Sequence, residues 1–202
     1  MYKALIFDLG KVLVNFDFKR AYQTLSKLCP LEPSEIPKRL ATTGLPERLE
    51  TGLIEPAEFV EQICATLNLR KDYDFEGFCR DFSCIFAEEL VPESMIQALA
   101  ARYRLVLLSN TNAIHFPLLC ENYPLLRHFQ HRVLSYEVKA MKPSPKIYQA
   151  ALERAGCIPG ECFYTDDIAE YVEAARRMGI DAVQFVSVEQ LREDLGRRGI
   201  SW

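Results

Sequence analysis

No apolar run in this sequence approaches the roughly 20 residues needed to cross a bilayer, and the amino terminus has no basic stretch leading into a secretory apolar core. A cytoplasmic protein with no membrane partner is the expectation. Positive charge is not in excess either: 24 Lys and Arg stand against 28 Asp and Glu, a formal net charge of −4. That balance gives no general attraction for nucleic acid or anionic lipid, although a local basic pocket for a small anion is compatible with it. The seven cysteines, Cys29, Cys64, Cys79, Cys84, Cys120, Cys157 and Cys162, are odd in number and include no C-x-x-C pair. Together with His115, His128 and His131 they lack the close ligand spacing of a structural zinc site, and most of the cysteines read as buried thiols. Internal repeats, low-complexity stretches and domain linkers are absent as well, so one folding unit with an accessory lobe is expected. With 49% hydrophobic and 26% charged residues, the composition excludes a disordered chain.

What is present begins at "YKALIFDLGKVLVNFD", where the run Ala4-Leu5-Ile6-Phe7 ends on Asp8, with Gly10 two places later. Apolar on both faces, the run reads as a buried strand of a parallel sheet. Ligand sites in such sheets lie beyond the carboxyl ends of the strands, where Asp8 falls. After the β-prone "KVLVNFDF" the pattern turns helical and stays so to about Ala87. "FKRAYQTLSKLC" puts Phe18, Ala21, Tyr22, Leu25 and Leu28 on one face, with Pro30 as its stop. "EPAEFVEQICATLNL" repeats the pattern with Phe59, Val60, Ile63 and Leu67, and "DFEGFCRDFSCIF" with Phe75, Phe78, Phe82 and Phe86, read as a helix-packing core.

From Pro92 onward strands and helices alternate. "RLVLLSN", "HRVLS", "CFYTDD" and "DAVQFV" are the strands; "PESMIQALAARY", "SPKIYQAALERAG", "AEYVEAARRMG" and "SVEQLREDLGRRG" are helices. The fold class that follows is α/β, a doubly wound (Rossmann-like) parallel sheet with a small inserted helical cap. The expected boundaries are 1–15 and 88–202 for the core and 16–87 for the cap. Polar groups then collect at the strand ends: Asp8, the run Ser109-Asn110-Thr111-Asn112, and the pair Asp166-Asp167, with Lys142 in a loop between the last two. Each has a bland reading as a cap or turn residue. Gathered at one point, such carboxylates need a cation or a lysine between them, and hard oxygen ligands favour magnesium.

This ordered set, "FDLGKVLV", "LLSNTN", Lys142 in "MKPSPKIYQ" and "FYTDDIAEYVEAARRMG", resembles the haloacid dehalogenase-like (HAD) hydrolase superfamily over the whole chain. The nearest flavour is that of bacterial sugar-phosphate phosphatases, the glucose-1-phosphate phosphatases among them. The resemblance implies a magnesium-dependent phosphatase for a small phosphorylated metabolite. It makes Asp8 the nucleophile, Ser109 and Lys142 catalytic, Asn110 and Lys142 ligands of the phosphoryl group, and Asp8, the carbonyl of Gly10, Asp166 and Asp167 the magnesium ligands.

Two departures from the family pattern carry consequences. Gly10 stands where typical members have a second aspartate that protonates the leaving group and later activates water. Losing such a group typically costs on the order of a hundredfold to ten-thousandfold in rate, so a substrate with a good leaving group, or a proton from Asp17 or His115, is required instead. Tyr171 stands where relatives often have an asparagine that braces the metal loop. Two alternatives stay open on the sequence: a metal-independent haloacid dehalogenase, which needs no protonated leaving group, and a pseudoenzyme that binds a phosphorylated ligand or partner. In the cap, "TTGLPERLETG" offers Arg48 as a substrate contact or as an ordinary surface arginine.

Overall fold

The computed structural model describes residues 1–70 and 73–202. In chain order its elements are β1 (Ala4–Phe7), β2 (Val14–Phe16), α1 (Phe18–Leu25), α2 (Ile36–Ala41), α3 (Leu45–Glu50), α4 (Pro56–Leu67), α5 (Phe75–Phe82) and β3 (Phe86–Glu89), followed by α6 (Glu93–Ala100), β4 (Arg104–Ser109), α7 (His115–Asn122), β5 (His131–Leu134), α8 (Ser135–Val138), α9 (Pro145–Ala155), β6 (Cys162–Asp166), α10 (Ala169–Arg177), β7 (Asp181–Gln184) and α11 (Val188–Arg197). Five strands form one parallel sheet in the order β5-β4-β1-β6-β7.

Side chains alternate across this sheet because the strand period is two. Leu5, Phe7, Leu105, Leu107 and Phe163 face α6, α7 and α11, while Ala4, Ile6, Val106, Leu108 and Tyr164 face α9 and α10. Both faces are therefore covered, which explains why β1 and β4 lack polar alternation. The chain leaves β1 for β4 on one side and returns to β6 on the other. That reversal opens a crevice at the carboxyl end of β1, and the register sets Phe7 level with Leu107 and Thr165.

Helices α1 to α5 pack on one another around a third apolar cluster that includes Phe59, Phe78, Phe82, Leu45 and Leu49. Its stem is an antiparallel pair, β2 with β3, in which Phe16 lies opposite Phe86. The expected junctions at 15/16 and 87/88 both fall inside these paired strands. Two expectations about helices need correction. The first insertion helix stops at Leu25 rather than at Pro30: Thr24 and Ser26 hydroxyls donate back to the carbonyls of Arg20 and Gln23, and Lys27 and Leu28 bond three residues back, which tightens and ends the turn. Phe86 is not on the helix of Phe78 and Phe82 but in β3, where its ring meets Phe16 edge to face at 6.5 Å, and Phe75 is largely exposed. No helix among the described residues is long and apolar enough to cross a membrane.

The insertion's core should be intolerant of truncation. Phe59, fully buried between Phe78 and Phe82, is expected to cost about 3–5 kcal/mol when replaced by alanine, measured by urea unfolding followed by circular dichroism.

Candidate active site

Asp8 follows β1 directly, and its N–H donates to the carbonyl of Thr165 at 3.0 Å, continuing the ladder by one residue. Asp8 is 7% exposed. Lys142, 3% exposed, reaches in from the loop before α9 and donates to Asp8 Oδ1 at 2.7 Å and to Asp166 Oδ2 at 2.6 Å. One buried ammonium thus serves two carboxylates. Asp167, half-buried, completes a triad with Asp8 and Asp166 whose ligand oxygens lie within 4.8 Å of one another.

The electrostatics follow from this arrangement. Burial pushes the Asp8 carboxyl up, the ammonium of Lys142 opposes that push, and the charge of Asp166 adds to it. Asp167 is likewise raised, first by burial and then by Asp166. Lys142 is held above its ordinary value: burial works against its charge, and Asp8 and Asp166 outweigh burial. With three acidic groups and one ammonium, the cluster is short of positive charge. Hard carboxylate oxygens around a shared point suit magnesium or calcium.

Asp166 is the most heavily engaged member. Its Oδ2 accepts from Lys142 and from the Tyr164 hydroxyl, and its Oδ1 accepts from the N–H of Ile168 at 2.9 Å. Its free acceptor capacity is therefore on Oδ1.

Asn110, expected to meet the phosphoryl group, uses its side chain otherwise. Its Oδ1 accepts from the Lys142 N–H at 2.8 Å and its Nδ2 donates to the Lys142 carbonyl at 3.1 Å, fastening that loop to the end of β4. Ser109 Oγ, buried, has only a 3.4 Å contact to the Asn110 carbonyl and so keeps a donor for a ligand. Tyr171 braces the same loop. The Lys142 ammonium stands 5.2 Å from its ring centre, and its hydroxyl accepts from Asn110 Nδ2 at 3.5 Å. The bracing that Tyr171 supplies falls on the Lys142 loop and on Asn110.

Gly10 borders the cavity beside Asp8, about 190 Å³ in volume. A side chain there would collide with Phe16: a Cβ on Gly10 would lie 2.6 Å from the ring. Phe16 is pinned between Phe18 and Phe86 at 5.4 and 6.5 Å, with the Lys11 ammonium 5.0 Å from its ring centre. The space of the missing carboxylate is therefore filled by an aromatic ring.

Neither sequence candidate for the missing proton reaches the site in an active form. Asp17 is exposed and caps α1, accepting from the Lys19 N–H at 2.9 Å. His115 is buried and stacks on Phe82 at 4.7 Å, and burial pulls its pKa down to about 4, the Phe82 carbonyl opposing; it is neutral near pH 7. Arg48 lies 4.0 Å from Glu58, both side chains being exposed. Glu50, at the end of α3, was not singled out by sequence reasoning, yet it lines the 190 Å³ cavity with Asp8, Gly10 and Lys142. The available signal was its place beside Leu49 in "RLETG", at the end of a short amphipathic stretch.

Replacing Lys142 by methionine leaves Asp8 and Asp166 buried without their cation. Without added metal, its unfolding free energy in urea should drop by about 3–5 kcal/mol; a change below about 1 kcal/mol would contradict this account of the cluster.

The chain matches the haloacid dehalogenase-like hydrolases over residues 2–179. Among similar proteins, a D-ribitol-5-phosphate phosphatase of Bacteroides thetaiotaomicron is 26% identical over 96% of this chain and 97% of its own. A phosphorylated carbohydrates phosphatase of Thermotoga maritima is 28% identical over 90% of this chain and 83% of its own. A HAD-family enzyme of Bacteroides thetaiotaomicron, solved in complex with magnesium and inorganic phosphate, superposes with a TM-score of 0.82 at 30% identity, covering 93% of this chain and 96% of that one. Sheet order, the clustered carboxylates and the match over most of its length identify the chain as a member of the haloacid dehalogenase-like hydrolase family.

Proposed function

We propose that this chain is a magnesium-dependent phosphatase that hydrolyses a small phosphorylated carbohydrate by way of a phosphoryl group carried on Asp8. The observation that carries the reading is the buried Lys142 ammonium bonded to both Asp8 and Asp166 at the open end of β1, with Asp167 beside them. In this reading Asp8 attacks phosphorus with the oxygen not held by Lys142. Lys142 neutralises charge shared between Asp8 and the phosphoryl oxygens. Ser109 Oγ and the backbone N–H of Asn110 bind those oxygens, the Asn110 side chain being committed to the Lys142 loop.

The metal ligands would be Asp8, the Gly10 carbonyl, Asp166 through Oδ1, and Asp167. Magnesium, when bound there, supplies positive charge for the phosphoryl oxygens, and the donor set, all hard oxygen on a site short of positive charge, fits it. The insertion, residues 16–87, serves as the cap over this site. The two relatives named for phosphorylated carbohydrates and D-ribitol 5-phosphate support the substrate class, and the complex with magnesium and inorganic phosphate supports the cofactor. A dehalogenase has no use for the acidic triad, since displacing halide leaves no phosphoryl charge to neutralise. A pseudoenzyme has no reason to keep so much charge buried, which is costly without a function.

Purified protein is expected to release phosphate from a panel of sugar phosphates and from 4-nitrophenyl phosphate with magnesium, and to stop when the metal is chelated. Asp8→Asn should fall at least about a thousandfold, as expected when a covalent nucleophile is removed. An Asp8→Asn protein as active as wild type would sink the proposal, as would a wild type inert toward the whole panel.

A further inference from the structure

The cavity beside Asp8 is one of three that run from the sheet edge into the insertion. The next, about 90 Å³, is lined by Gly10, Phe16, Ser109 and His115, and the third, about 310 Å³, lies among α1 to α5. Glu50 is the only described residue that lines all three. Its carboxyl forms no hydrogen bond or ion pair with any described residue.

The place of this carboxyl is fixed from the core side. Two residues after Glu50 the chain turns at Gly52 with φ +61°, where a Cβ would sit 2.2 Å from the carbonyl of Tyr136, so only glycine permits the approach. Lys139, at the end of α8, donates to the Gly52 carbonyl at 2.5 Å. The end of α3 is thereby latched to the core, next to the sheet edge that carries Asp8.

An in-line attack by Asp8 sends the leaving oxygen to the opposite side of phosphorus, toward the insertion. The carboxylate that could have met it from position 10 is absent, and the Phe16 ring fills its space. We propose that Glu50 is the acid and base of this site, a catalytic residue delivered from the cap in place of the one missing from the strand; the proposal rests on the phosphatase reading above. As Asp8 Oδ bonds to phosphorus and the bond from phosphorus to the leaving oxygen breaks, Glu50 gives its proton to that oxygen and becomes a carboxylate. In the second half Glu50 takes a proton from water as the water oxygen bonds to phosphorus. The bond from phosphorus to Asp8 then breaks, leaving inorganic phosphate, Asp8 as carboxylate and Glu50 again as acid.

The surroundings suit the role. Burial, and then the like charge of Glu47 on its own helix, push the Glu50 carboxyl up to about 7. A group balanced near the working pH can both give and take a proton. The other titratable groups facing these cavities are Tyr22, His115, Asp8, Lys142, Asp167 and Tyr171; none of them contributes to the shift.

The test compares wild type, Glu50→Gln and Glu50→Asp, with magnesium, on 4-nitrophenyl phosphate, phenyl phosphate and glycerol 1-phosphate, whose leaving groups are increasingly basic. For Glu50→Gln, kcat/KM should change less than about threefold on the first and fall about tenfold on the second. On the third it should fall about a hundredfold or more. With 4-nitrophenyl phosphate the variant should show a burst of about one equivalent of nitrophenol, because phosphorylation of Asp8 survives while water activation does not. Glu50→Asp should recover part of the loss on glycerol 1-phosphate. Wild-type kcat/KM on that ester should fall as the pH rises through about 7, where Glu50 gives up its proton, and the glutamine variant should lack that limb. An equal fractional loss across all three esters, the mark of a binding or structural role, overturns the assignment, as does no loss at all. A wild type that releases no phosphate from any ester overturns the phosphatase reading and this proposal with it, so the two failures are distinct.

Discussion

A single buried ammonium organises this molecule's open edge. Lys142 holds Asp8 and Asp166 within hydrogen-bond distance of one another's partner at a point that water barely reaches. Two carboxylates desolvated side by side would repel by several kcal/mol without it. Four neighbours keep that ammonium in place: Asn110 grips its backbone from both sides, Tyr171 lies against its charge, and Tyr164 and the Ile168 N–H orient the carboxylate it shares. The strand order supplies the rest, since β1 between β4 and β6 is what brings positions 8, 109 and 166 to one crevice.

The constraint does not close the charge balance. Adding Asp167 leaves the acidic triad with one ammonium, and the deficit is what a divalent cation and an anionic substrate would complete together. Position 10 shows the opposite economy. The loop from Asp8 to Phe16 folds back so that the Phe16 ring lies over Gly10, and the stem pair β2 and β3 fixes it there. Proton transfer assigned to Glu50 ties chemistry to the insertion, because the acid is present only where α3 is latched at Gly52 to the α8 corner of the core.

Much of this was legible in the sequence, and the reason is physical. Buried parallel strands read as unbroken apolar runs, so Ala4–Phe7 and Arg104–Ser109 could be recognised together with the polar residues that end them. Lys142 was legible as a companion of those carboxylates because buried acids demand a cation. What escaped was whatever depends on contacts between elements. Phe86 kept the three- and four-residue spacing of the helix before it, yet cross-strand packing on Phe16 claimed it for β3. The early end of α1 depended on hydroxyl groups bonding back to the helix, a local competition that periodicity does not register. Glu50 carried no mark in the sequence beyond its place at the end of a short amphipathic stretch: a glutamate at a helix end is ordinarily solvated, and only the packing of α3 against the core puts this one in a cavity. Asn110 was recognised as belonging to the site, but its attachment to the Lys142 backbone spans 32 positions in the chain and no motif announces it.

Phosphoryl transfer by way of Asp8 is open to direct test. Its most direct measurement is mass spectrometry of protein quenched in acid during turnover of 4-nitrophenyl phosphate with magnesium. The expected result is a phosphoryl group on the peptide containing Asp8, labile to hydroxylamine as an acyl phosphate is, and missing from Asp8→Asn. Phosphate released at full rate with the label on another residue, or with no labelled peptide even in a variant stalled after the first step, would contradict it.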